Sequence, residues 1–230
     1  MIGRYKTIEW ELRRGPQGQI EQCSVSPMPF LIVSLAASAL FVVLVLAAHV
    51  LKPEISPRWR MLSELSIGRV GWVMDAAFVA WAVGNMALGV GLWRLAPAWL
   101  STLLIVVAVG PLGAAFATAD PITTPPMDAT AHGRWHGVFG MLFIFGFPMV
   151  AALFTIMAIR DASPLWPCFL GMGLLIWATL VLFIVLAARW RRAGRKPGPE
   201  MPIGIPNRIF VAAYVLWTVV IALAAWPLDG

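Results

Sequence analysis

The sequence predicts an all-α polytopic integral membrane protein, a bundle of six transmembrane helices, and three observations predict it. Apolar residues fill 60% of the 230 positions and charged residues 12%, where a soluble domain carries about 25% charged residues. Six stretches are nearly free of Asp, Glu, Lys and Arg: 23–51, 70–93, 95–119, 135–159, 162–188 and 209–228, of which only the second holds an acid, Asp75. Each reaches the roughly 20 residues with which a helix crosses a bilayer core. The period-two alternation of barrel strands is missing throughout.

The elements follow in order. Residues 1–28 read as an interfacial or soluble tail, with Trp10 between Glu9 and Glu11, then Arg13 and Arg14. The first apolar run begins near Met28, too late and too long for a cleavable signal peptide. Residues 29–230 form the six-helix domain, with helices at about 29–51, 68–93, 97–119, 133–160, 164–189 and 207–227. The turns at 94–97 and 160–164 are tight. The connections at 52–67, 120–131 and 190–206 are longer and rich in Pro and Gly, as loops require. Six crossings send alternate connections to alternate faces, so the three long ones share one face. They also hold most of the basic residues outside the tail, which favours the cytoplasm, although the basic flank before the first helix argues the reverse.

The net charge of +6 suits anionic lipid head groups rather than nucleic acid. Cys23 and Cys168 cannot make a disulfide framework and read as small buried hydrophobes. Trp93, Trp99, Trp166, Trp190 and Trp226 fall at helix ends, where indoles anchor at the interface.

Residues that could carry chemistry gather on the long-connection face. His132 and His136 stand four apart, on one side of a helix, a spacing by which two imidazoles grip one Zn²⁺. His49 and Asp120 could complete such a shell, with Glu64 and Asp128 as further acids. The same pair could equally lie in the wet interface, with Asp128 or Thr130 as a helix N-cap. Ser63-Glu64-Leu65-Ser66 reads either as a polar loop folding towards the histidines or as the N-cap of the second helix. Asp75, about two turns into that helix, must face the bundle and find a partner, because an ionised carboxylate at that depth costs roughly 2.5 kcal/mol or more. Arg69, Asn207 and Arg208 are the candidates to reach it. Asn85 reads as interhelical glue, and Gly133, Gly137 and Gly140 as a strip for close packing.

The order of these segments resembles the family of prokaryotic membrane proteins called domain of unknown function 998. Ser63-Glu64-Leu65 leads into Gly71-Trp-Val-Met-Asp-Ala-Ala-Phe78, and Ala119-Asp120-Pro121 closes the third helix. His132-Gly-Arg-Trp-His136-Gly137 opens the fourth, and Gly204-Ile-Pro-Asn-Arg208 leads into the last, which carries Trp217. The resemblance spans about residues 30–227 and implies six helices, a polar cluster, and a place in a prokaryotic inner membrane; it implies no reaction. The expected function is therefore a non-enzymatic lipid-binding, accessory or assembly protein whose partners are membrane lipids or another membrane protein, without a cofactor. The alternatives are a Zn²⁺-dependent hydrolase of a lipid, with His49, His132 and His136 on the metal and Asp120 or Glu64 as base, and a secondary transporter.

Overall fold

The structure, a computed structural model, describes residues 26–226 and the backbone of two short strands, β1 (Arg13–Arg14) and β2 (Ile20–Glu21), which pair antiparallel. The expectations for the rest of the tail, for Cys23 and for the chain beyond residue 226 lie outside the described residues.

Seven α-helices follow: α1 (Met28–Leu51), α2 (Trp72–Gly91), α3 (Ala98–Val107), α4 (Val109–Phe116), α5 (Ala131–Arg160), α6 (Trp166–Arg192) and α7 (Gly204–Ala225). α3 and α4 make one span, so among the described residues six helical spans are long and apolar enough to cross a membrane. The break at Ala108 has a cause in the sequence. Pro111 brings no N–H to the Val107 carbonyl four residues back, and its ring crowds that carbonyl.

The second helix starts later than the apolar pattern suggests. A 3₁₀ turn occupies Leu62–Ser66, the chain bends through Gly68 at φ +88°, and α2 begins only at Trp72. A Cβ on Gly71 would lie 1.8 Å from the Ser66 carbonyl oxygen, so only glycine lets the bend close here. Asp75 consequently sits in the first turn of α2 rather than two turns in. There its charge complements the helix dipole.

α5 holds Pro148 in its interior, which leaves the Ile144 carbonyl without its helical donor. The Tyr214 hydroxyl of α7 donates to that carbonyl at 2.7 Å. The deficit made by one helix is met by another, and the contact sits among stacked rings, with Phe147 and Tyr214 centroids 4.8 Å apart.

α2 is the central helix and packs on α1, α3, α4 and α7; α7 also packs on α1 and α6, and α5 on α3, α4 and α6. Asn85 does join helices: its carbonyl oxygen accepts from the Thr218 hydroxyl of α7 at 3.0 Å. α5 and α6 pack closely beside their tight turn, where Thr155 donates to the Phe169 carbonyl at 3.0 Å. Towards their other ends they part. A Cβ built on Gly137 or Gly140 meets nothing within 4 Å, so these two glycines edge a gap instead of a packed seam.

Candidate functional site

The three long connections are stitched together at one end of the bundle. The Gly204 amide donates to the Arg58 carbonyl at 3.1 Å, and the Leu62 amide to Asn207 Oδ1 at 2.8 Å. Glu64 is the centre of the stitching. It is 1% exposed, yet both carboxylate oxygens are occupied. Oε1 accepts from the Met61 amide at 2.7 Å, Oε2 from the Ile122 amide of the second connection at 3.1 Å, and Arg60 Nε lies 2.6 Å from Oε2. A buried carboxylate with two backbone donors and a guanidinium is fully compensated. Arg60, four residues before Glu64, escaped the sequence reading, although an i,i+4 acid–base pair is a visible signal.

Asp120 and Thr130 build the amino end of α5. Asp120 accepts from the Thr130 amide at 2.8 Å and from its hydroxyl at 2.9 Å, while the Thr130 hydroxyl accepts from the Gly133 amide at 2.9 Å. Thr130, not Asp128, is therefore the cap. Neither Ser63 nor Ser66 caps α2; the Ser66 hydroxyl donates to the Ser63 carbonyl at 2.8 Å.

The histidines separate. His49 is occupied at both nitrogens: Nδ1 donates to the Val45 carbonyl at 2.8 Å, which leaves Nε2 to accept from Arg208 Nε at 2.9 Å. Arg208 also donates to the carbonyls of Arg60 and Gly204, at 2.8 and 3.0 Å. His136 is half-buried and its Nδ1 donates to the Ala117 carbonyl at 2.7 Å. His132 is exposed. No hydrogen bond or ion pair joins Asp120 to either histidine of α5 among the described residues. The physical reason is the cap, which engages both oxygens of Asp120 with Thr130. No three His, Cys, Asp or Glu side chains converge to hold a metal among the described residues. His49, Asp120, His132 and His136 are not drawn together into one group in this arrangement.

Asp75 has one carboxylate oxygen enclosed without a hydrogen-bond partner among the described residues. Asn207 and Arg208 are committed elsewhere, as above. Lys52 supplies the opposing charge instead. It is 4% exposed, and its ammonium donates to the Leu65 carbonyl at 3.1 Å and to the Ile67 carbonyl. Burial pushes its pKa below the ordinary lysine value, against the pull of Glu54 and Asp75. Nothing in the spacing marks Lys52, because a lysine after an apolar run ordinarily faces water.

Four of the polar candidates line one cleft. Ser63, Glu64, Asp120 and His136 border a cavity of about 400 Å³, together with Gly133 and Gly137 of α5 and Phe183 and Ala187 of α6. That volume lies in the range of small-molecule sites, roughly 300–1,000 Å³. Beyond Met61, Ser63 and His136, a second chamber of about 80 Å³ runs into the bundle. Its walls are apolar, with Phe78, Trp81, Phe143 and Phe210 prominent; Asn207 is at its border. Of these aromatic residues only Phe78 is named from the sequence, as the end of the segment 71–78, and the sequence places none in a site. His49, Asp75, His132 and Arg208 stand outside both spaces.

A family model described as "Protein of unknown function (DUF998)" matches residues 35–224. No curated protein and no solved structure matches the chain.

Proposed function

The chain belongs to the family described as protein of unknown function DUF998, and from that premise we propose that it is a non-enzymatic membrane protein that binds a lipid in the cleft between α5 and α6. One observation carries the reading: the cleft at the end formed by the long connections has Ser63, Glu64, Asp120 and His136 on its border, and an apolar chamber adjoins it across the shared residues Met61, Ser63 and His136. A lipid has the same two-ended chemistry. The gap beside Gly137 and Gly140 offers a lateral way in from the membrane, so the ligand need not leave the bilayer. The polar groups that border the cleft are engaged in holding the fold together, Glu64 as a staple and Asp120 as part of a cap, which suits a receptor better than a catalyst.

The test uses a variant that fills the cleft. Gly137 lines the cleft and a Cβ added there meets nothing within 4 Å, so Gly137→Trp is the variant chosen to plug the cavity. Native mass spectrometry of the full chain, extracted from its membrane in mild detergent, should show a bound lipid on the wild type and none on Gly137→Trp. Equal lipid on both chains refutes the reading.

A further inference from the structure

We infer that the cleft selects a lipid whose head group donates hydrogen bonds and carries no negative charge, such as a hydroxyl-bearing or amine-bearing head. This deepens the lipid-binding reading and rests on it. An acyl tail passing from the bilayer into an apolar chamber leaves one apolar medium for another, so it gains little from the hydrophobic effect. Discrimination must come from the head; the hydroxyls of Ser63 and Thr124 can donate or accept, while Asp120 and His136 offer acceptors. His136 commits Nδ1–H to the Ala117 carbonyl, which leaves the Nε2 lone pair of the neutral ring as its free function. Asp120 spends one lone pair of each oxygen on Thr130 and retains the others.

The charges agree with this. No lysine or arginine lines the cleft or the chamber. The cation beside Glu64 is Arg60, which neutralises that carboxylate from outside the cavity. Asp120 has no ion-pair partner among the described residues; the α5 N-terminus is its main compensation. A carboxylate or phosphate head entering here would meet acceptors and a like charge, both of which cost affinity. A hydroxyl or ammonium head would supply the protons that Asp120 and His136 Nε2 can accept.

The experiment compares three ligands with the same oleyl chain and different heads. Delipidated full-length protein in detergent is titrated with monoolein, oleylamine or oleate and read by native mass spectrometry. Monoolein or oleylamine should bind at least about tenfold more tightly than oleate. His136→Phe, which keeps a ring but removes the acceptor, should erase most of that preference; it also removes the donor to the Ala117 carbonyl and should lower the thermal midpoint modestly, so binding is compared well below that midpoint. Oleate binding as well as or better than both donors overturns the head-group inference and leaves the lipid-binding reading standing. Adducts of all three that are equally abundant on wild type and Gly137→Trp overturn the lipid-binding reading itself.

Discussion

Glu64 shows how one residue can serve a local turn and a distant segment at once, its Oε1 accepting from the Met61 amide and its Oε2 from the Ile122 amide. Its place in a polar stretch before a helix suggests a charge complementing the helix dipole or a base; its carboxylate also ties the first long connection to Ile122 of the second while facing Arg60. Removing half of a buried, compensated ion pair typically costs 3–5 kcal/mol. Glu64→Gln removes the charge that faces Arg60 and can present an amide N–H to the Ile122 amide, so it should destabilise by about 3 kcal/mol and lower the thermal midpoint in detergent. An unchanged midpoint would show that the staple is dispensable. Thr130→Ala should cost about 1 kcal/mol, the ordinary loss for an N-cap, because both the Gly133 amide and Asp120 lose a partner. Urea titration of the two chains measures it.

At the scale of elements, the prolines in mid-helix are legible in the sequence but their consequences are not. Pro111 splits the third span, whereas Pro148 leaves α5 one continuous helix of 30 residues. The difference is supplied by a neighbour: Tyr214 of α7 satisfies the Ile144 carbonyl. Tyr214→Phe should therefore cost about 1 kcal/mol, the scale of hydrogen bonds between membrane helices. In a Pro148→Ala background, residue 148 regains its own N–H and the cost should fall towards zero. A double-mutant cycle on these two positions reads the coupling, and additive losses would mean the hydroxyl does not serve the carbonyl that proline frees. Gly71→Ala should be far more harmful than an ordinary glycine substitution at a helix start, because the added methyl meets the Ser66 carbonyl; expression and thermal midpoint report it.

Across the whole molecule, parity of crossings places the three long connections on one face, and the structure bonds them to one another there. Reporter fusions after residues 56, 125 and 198 should report one common side of the membrane. A fusion on the opposite side would contradict six spans. Parity does not say which members of a face meet, however. Of the polar candidates, Ser63, Glu64, Asp120 and His136 share the cleft, while His49 pairs with Arg208 across 159 residues of chain.

The sequence by itself determined the six spans, their approximate ends and the face that gathers the polar residues, because the bilayer imposes one requirement on every crossing segment: about 20 apolar residues with an internally bonded backbone. It also located Thr130 as a candidate cap and Asn85 as a link between helices, since both roles depend on local spacing or on residue type. Only the tertiary structure decided where α2 begins, what completes Pro148, which cation serves Glu64, and that α5 and α6 part to leave a cleft. Those outcomes depend on pairings such as Glu64 with Ile122, 58 residues apart. Hydropathy is a sum over neighbours along the chain, and it carries no information about which distant side chain fills or spares a given space.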